Sequence, residues 1–427
     1  MIETVSLLPL DAVFLCEYTI VEDLFALLII NKFIMKIKYL FFLLLVSVIL
    51  ISCIDNTTTT PNSFDMVKYI GGDSLDYGTQ LLKTDDNNYL ILGNTKSKGA
   101  GSSDIYLVKV DGQGNVLWDH TYGGNGYDQG NKIIKHKDGG YLILGYTDSF
   151  GLGGNDIILL KINESGQQEW LKTYGDVYYD EGNFISEDFS GGYIIGGYFT
   201  DVNTVDKDIV VIDVDANGNQ QWMQYMGGDT TDIGKDIVKV DDGYLLLGIT
   251  NSFSDSQDIY VSKLDKSGSL LWEKTYGGDR TDCGEKMIAT DIGNFAICGF
   301  SGSFNEFKDN DIYFIKINTA GDVLLERHYG SDGQWDYEEG YSVKEISSGG
   351  FYISGRSKSS LYIMKTDAFG NLEGDATYGD PYSPYTMIGW DVLEIDNDEV
   401  LIVGGKRDSD NGKIILLKAD ADKLSDK

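Results

Sequence analysis

From residue 64 onward the chain runs in short apolar segments broken by turn-forming residues, and no stretch sustains the period of an amphipathic helix. Between Tyr122 and Thr173 four strand-like runs stand out: NKIIKH, YLILGY, DIILLKI and QEWLKTY. Asp138-Gly139-Gly140 joins the first two as a tight hairpin. The longer TDSFGLGGN joins the second to the third. Asn163-Glu164-Ser165-Gly166 closes the last hairpin and is matched by Asp111 to Gly114, Asp215 to Gly218 and Asp265 to Gly268. Asp or Asn opens such turns by bonding nearby backbone, and Gly takes the positive-φ position.

The whole pattern recurs. Taking the opening glycine of each unit, Gly71, Gly123, Gly175, Gly227, Gly277, Gly330 and Gly379 lie 52, 52, 52, 50, 53 and 49 residues apart. Four antiparallel strands in roughly 50 residues is the signature of a propeller blade. The last unit has only three runs, around Trp390–Glu394, Val400–Gly404 and Lys413–Lys418. Its missing fourth strand stands at the other end, as Phe64-Asp65-Met66-Val67-Lys68-Tyr69 ahead of Gly71. Pairing the two would remove two free edges at once. The expected architecture is therefore all-β: a seven-bladed β-propeller with four antiparallel strands per blade, the N-terminal strand closing the last blade. It is expected as a monomer.

Composition agrees and narrows the partners. The chain has 427 residues with 52 Gly, 28 Tyr and 4 Pro, and a net charge of -33. Such acidity argues against nucleic acid, whose phosphates need Lys and Arg stripes, and against peripheral binding to anionic lipid. Cys16 and Cys53 precede the repeats, so only Cys283 and Cys298 belong to them. With the hairpin centred near Ile292-Gly293, Cys298 should face about Met287, which favours two packed thiols over a disulfide.

The segment before the repeats reads as an address. Basic residues after Met35 lead into the apolar run Tyr39 to Ser52, which ends in Leu50-Ile51-Ser52-Cys53. This resembles a bacterial lipoprotein signal peptide, with an aliphatic residue, a small residue and the Cys whose thiol takes diacylglycerol. An apolar run of about 14 residues is short for a membrane span. The expected division is a signal segment over 1–52 with Met35 as the true start, lipidated Cys53 and a polar tether over 53–63, and the propeller over 64–427. Without residues 1–52 the net charge is -31, so the acidity belongs to the repeats. Ile54 after Cys53 lacks an Asp retention signal, which by analogy points to the outer membrane of the cell envelope.

The repeat itself, W-x-x-T-Y-G-G followed by D-G-G-Y-x-I-x-G and D-x-Y-x-x-K, resembles the tandem β-propeller repeats of bacterial and archaeal surface proteins. The likeness spans about 64–427. The turn Gly114-Asn-Val-Leu-Trp118 also resembles quinoprotein-type repeats, although no quinone-binding set accompanies it. These families imply a fold and no single activity.

Three groups of residues compete for function. Trp118, Trp170, Trp222 and Trp272 share one unit position, continued by Leu325 and Gly374, and packing between blades is favoured over a sugar-binding box. The lysines at the end of the third run (109, 161, 263, 316, 365, 418) are expected to be solvated. Asp76, Asp128, Asp180, Asp232 and Asp282 precede the first strand, while Asp104, Asp156, Asp208, Asp258 and Asp311 open the third. Both sets should lie on the face carrying the longer loops. Ten carboxylates there could hold Ca²⁺, but local turn-holding is favoured over metal, because no contiguous calcium loop is present. The third group lies where the repeat breaks. Unit six opens with GSDGQWDYEEG, adding Trp335, Asp336, Glu338 and Glu339, and carries Arg356 later; unit seven holds Tyr382, Tyr385, Trp390, Lys406 and Arg407. Trp335, Asp336, Glu338, Arg356 and Trp390 are the candidate ligand-binding set, although terminal blades also drift for closure.

No G-x-S-x-G elbow or P-loop occurs, and His120, His136 and His328 form no metal motif. The expected function is a non-enzymatic binding or scaffold module for protein or glycan, anchored to the membrane by lipid. A polysaccharide hydrolase or lyase using Asp336, Glu338 or Glu339 is the alternative.

Overall fold

In the computed structural model the described residues are 63–290, 293–304, 309–331, 336–347, 349–396, 399–407 and 411–424. Cys53, the signal and most of the tether lie outside them, as does Trp335. Asn62–Lys427 forms one compact unit. It contains seven four-stranded antiparallel sheets. Blades one to six occupy 76–122, 128–174, 181–226, 232–276, 282–329 and 338–378. The seventh combines Thr386–Asp396, Glu399–Arg407 and Ile414–Asp420 with the N-terminal strand Phe64–Ile70, which pairs with Ile414–Asp420.

The apolar cores lie between blades. Leu142, Leu144, Ile157 and Leu159 of blade two pack with Tyr193, Ile195, Val210 and Ile212 of blade three, all buried. This explains the near-continuous apolar character of the second and third strands, such as Tyr141–Thr147 and Asp156–Ile162, which are covered on both faces. The recurrent tryptophan, in Trp-x-x-Thr-Tyr at Trp118, Trp170 and Trp272 and in Trp-Met-Gln-Tyr-Met at Trp222, clamps its blade to the next. In that clamp Trp222 lies over Gly268, the φ +81° residue closing the next blade's last hairpin, and a Cβ there would stand 2.3 Å from the indole. The Tyr122 hydroxyl donates to the Gly166 carbonyl at 2.6 Å, and Tyr174 repeats the bond to Gly218 at 2.6 Å. The tryptophans are thus packing residues.

Two expectations need correction. The third-strand lysines are not simply solvated: Lys161 and Lys263 are buried. Lys161 donates to the Gly139 carbonyl at 2.8 Å and to Glu169 at 2.8 Å, because its stem runs beneath the hairpin turns that need donors. Lys109 and Lys418 likewise pair with Asp86 and Glu399 at 2.6 Å each. Second, Cys298 pairs with Lys286 rather than Met287. The thiols of Cys283 and Cys298 are free and buried. That offset is set in the hairpin itself, where Ala289 faces Phe295 and Met287 faces Ile297; the strand's bulge lies beyond it, between Gly284 and Lys286, and builds the site.

Candidate functional site

Every innermost strand carries the same irregularity. The ladder shifts just after a glycine: between Gly78 and Gln80, Gly130 and Lys132, Gly182 and Phe184, Gly234 and Asp236, Gly284 and Lys286, Gly340 and Ser342, and Gly389 and Asp391. A bulge leaves one residue without a cross-strand partner and re-aims it. Here those residues are Thr79, Asn131, Asn183, Lys235, Glu285, Tyr341 and Trp390, one per blade, and all of them line the axial cavity. The partner strand accommodates the bulge with glycine; at Gly145 a Cβ would lie 1.8 Å from the Gln129 carbonyl oxygen.

The ring is bonded from blade to blade. Thr79 donates to the Gly130 carbonyl at 3.2 Å, Asn131 to Gly182 at 2.9 Å and Asn183 to Gly234 at 3.1 Å. Lys235 Nζ donates to both carboxylate oxygens of Glu285 at 3.1 Å. Burial works against the Lys235 ammonium, but Glu285 outweighs it and holds the group above the ordinary lysine range. Tyr341 and Trp390 close the circle with ring centroids 4.6 Å apart.

Above this ring the cavity opens on the long-loop face, between the starts of the first strands and the ends of the second. Its volume is about 1150 Å³, beyond the usual range for a small-molecule site of about 300–1,000 Å³. The wall includes Tyr77, Tyr146, Tyr198, Phe300, Lys96, Lys207 and Lys406. The Tyr77 hydroxyl donates to Gln129, and Lys207 lies 4.0 Å from the Tyr198 ring centroid.

Blade six contributes the most constrained charge pair. Glu339 accepts from Arg356 Nε and Nη2 at 2.7 Å each, from Asn310 at 2.7 Å and from the Tyr341 hydroxyl at 2.5 Å. Burial would raise the Glu339 carboxyl, but the guanidinium prevails and holds it below the usual range. Of the ligand-binding candidates, Arg356 and Trp390 line the cavity. Glu338 is buried away from that lining, bonded to Ser357 at 3.0 Å, and burial lifts its carboxyl to about 7. Asp336 pairs with Lys358 at 3.0 Å, which with Ser331 holds it low against the effect of burial.

The repeated aspartates frame the mouth without converging. Asp76, Asp128, Asp232 and Asp282 each accept the backbone N–H four residues earlier at 2.7 Å. Each also accepts a serine hydroxyl from the long loop: Ser97, Ser149, Ser252 or Ser303. Asp180 accepts from Asp176 and Thr200. In the second set, Asp104 and Asp156 accept the backbone N–H of Gly101 and Leu152 at 3.1 and 2.9 Å. Among the described residues no group of three or more His, Cys, Asp or Glu is gathered as a metal site.

This buried acidity sets a pH dependence. Burial raises Asp180 and Asp213 to about 6, and Glu338 to about 7. The native state therefore holds more protons than the unfolded chain between about pH 4 and pH 7, so stability falls as pH rises through that window. The melting temperature by calorimetry should be several degrees higher near pH 5 than near pH 8. Glu338→Gln should flatten part of the slope. A profile that rises toward pH 8 would contradict this account.

No family model matches the chain, and no curated protein matches it. Among solved structures it is similar to the WD40 domain of Neurospora crassa Pan2, at 10% identity and TM-score 0.51, with 84% of this chain and 97% of that one covered. The periplasmic gluconolactonase PpgL of Pseudomonas aeruginosa matches at 12% identity and TM-score 0.49, over 79% and 97% of the two chains. A Bacteroides caccae protein of unknown function matches at 12% identity and TM-score 0.41, over 68% and 94%. Likeness at this distance is one of propeller fold, a scaffold that hosts unrelated activities.

Proposed function

We propose that this protein is a binding module that takes a glycan into the axial cavity from the long-loop face, held at the cell envelope by lipid on Cys53. The observation that carries the reading is the cavity wall. Tyr77, Tyr146, Tyr198, Tyr341, Phe300 and Trp390 supply aromatic surface, while Asn94, Asn131 and Asn183 supply amides beside them. Flat apolar faces interleaved with fixed donors and acceptors are what a sugar ring, apolar on its faces and hydroxylated at its edges, requires. The groups are held on strands and cross-bonded between blades, so little ordering is needed on binding.

Blade six supports binding rather than acid–base turnover. Glu339 is locked as an anion by Arg356, and Glu338, whose carboxyl does sit near neutrality, is away from the cavity lining. Topology suits display as well. Phe64 stands where the other blades have the turn into their fourth strand, on the tight-turn side. The first described strand therefore begins on the side of the propeller away from the cavity mouth.

The test is a glycan array probed with the purified protein, followed by titration of the best ligand. Trp390→Ala should weaken binding by about tenfold or more, as expected for a central aromatic contact. Binding indifferent to Trp390→Ala and to Tyr198→Ala would refute the cavity as the site.

A further inference from the structure

The cavity has the wrong sign for this protein. In a chain with 67 acids and 34 bases, the lining holds six basic residues and three acidic ones. Two of the six are neutralised at contact distance: Lys235 by Glu285 and Arg356 by Glu339. The other four are Lys96, Lys132, Lys207 and Lys406, and among the described residues none forms an ion pair. Outside the cavity some lysines pair with carboxylates, as Lys109, Lys161, Lys263 and Lys418 do. With acids outnumbering bases two to one along the chain, six basic residues against three acidic ones in one lining is a local reversal of its charge.

Their placement is ordered. Lys406, Lys96, Lys132 and Lys207 belong to blades seven, one, two and three, so they occupy one continuous side. The facing side, from blades four to six, presents Ile233, Phe300 and Tyr341. Lys96, Lys207 and Lys406 lie 5.9, 4.0 and 5.7 Å from the ring centroids of Tyr127, Tyr198 and Tyr385. Lys132 follows the bulge residue Asn131, and its ammonium makes no hydrogen bond among the described residues. An ammonium carries three donors, and withdrawing it from bulk water without an acceptor is costly. Burial, and then the nearby Lys286, press the Lys132 amine toward its neutral form, against Asp236, Asp391 and Glu285, which favour its charge.

We infer that the ligand is an acidic glycan, whose carboxylate or sulfate groups are received by Lys132, Lys96, Lys207 and Lys406 while its sugar faces lie against Phe300 and Tyr341. This rests on the cavity being a glycan site and adds the charge of the sugar. The cationic side also gives an anion a favourable approach into a protein whose remaining surface repels it.

Isothermal titration of the purified protein tests this with four probes: oligogalacturonate, its carboxyl-reduced neutral counterpart, a sulfated disaccharide and tartrate. An acidic oligosaccharide should bind at least about tenfold more tightly than the neutral one. Added salt should weaken that binding. Lys132→Gln and Lys207→Gln should each weaken it severalfold, and Lys207→Gln should do so with the melting temperature of the free protein unchanged. If the carboxyl-reduced sugar binds as tightly as the acidic one, the inference is overturned and the glycan reading stands. If only tartrate binds, and Lys132→Gln abolishes it, the anion site stands and the glycan reading falls. No heat from any anionic probe at about 10 mM, beyond the millimolar range of weak ligands, overturns the inference.

Discussion

Deleting the N-terminal strand Phe64–Ile70 should leave a protein that does not fold cooperatively, although this strand is one of twenty-eight. The strand supplies the outer edge of blade seven and pairs Met66 through Ile70 with Lys418 through Ile414. Ile70 is 7% exposed, and burying such a side chain contributes about 1.5–3 kcal/mol. The Phe64 ring packs edge-on against Tyr378 of blade six at 5.7 Å, and Lys423 pairs with Asp65, so the closure also ties down the C-terminal turn. Each net ladder bond adds about 0.5–1.5 kcal/mol. Together these approach the total stability of about 5–15 kcal/mol expected of a folded domain. The deletion also bares Ile414–Asp420 as an apolar edge, a template for association. Urea unfolding followed by circular dichroism should show loss of the single transition, with aggregation on warming. A peptide spanning 63–72 should restore part of the transition when added. An unchanged midpoint would show that the ring does not depend on closure by its N-terminus.

That closure could be read from residues because it follows from counting: three apolar runs at one end and an orphan run at the other. The hairpin turns were equally legible, since Gly139, Gly166 and Gly218 occupy positive-φ positions that few other residues tolerate. The cavity was not. Its deepest ring comes from bulges, and a bulge changes the register by one residue without altering the apolar pattern enough to betray itself. A signal did exist, in hindsight, at the residue after the inner-strand glycine. Thr79, Asn131, Asn183, Lys235, Glu285, Tyr341 and Trp390 differ from repeat to repeat, as do the residues two before and one after them, while the glycine between holds steady. Repeats kept alike by packing have no reason to vary there, and a lining shaped for one ligand does. Arg356 and Trp390 were reachable because they break the pattern outright. Asp336 breaks it too, yet its carboxylate is spent on Lys358 and Ser331. The lysines misled for another reason: sequence shows a charge at a strand end but not the turn carbonyls folded over it.

Arg356→Ala should cost about 3–5 kcal/mol at neutral pH, the usual consequence of stripping one member from a buried ion pair. Glu339 is 5% exposed and would keep only Asn310 and Tyr341 as donors once the two guanidinium bonds are lost. Its carboxylate would then stand uncompensated beside Glu338, in a blade already acidic. In the native protein the pair holds Glu339 below the ordinary glutamate range, so its contribution is present at neutral pH and disappears on acidification. In the variant the sign reverses. With the guanidinium gone, burial is opposed only by the Tyr341 and Asn310 hydrogen bonds and raises Glu339, so the deficit should be largest near pH 8 and shrink toward pH 5 as the carboxyl takes a proton. Adding Glu339→Gln to Arg356→Ala should recover part of the loss at pH 8, because a neutral amide has no charge to desolvate. Denaturant midpoints for the two single variants and the double variant, at both pH values, isolate the coupling. Additive losses, or a deficit that does not depend on pH, would mean that Arg356 acts by packing over Tyr337 rather than as the counter-ion of Glu339.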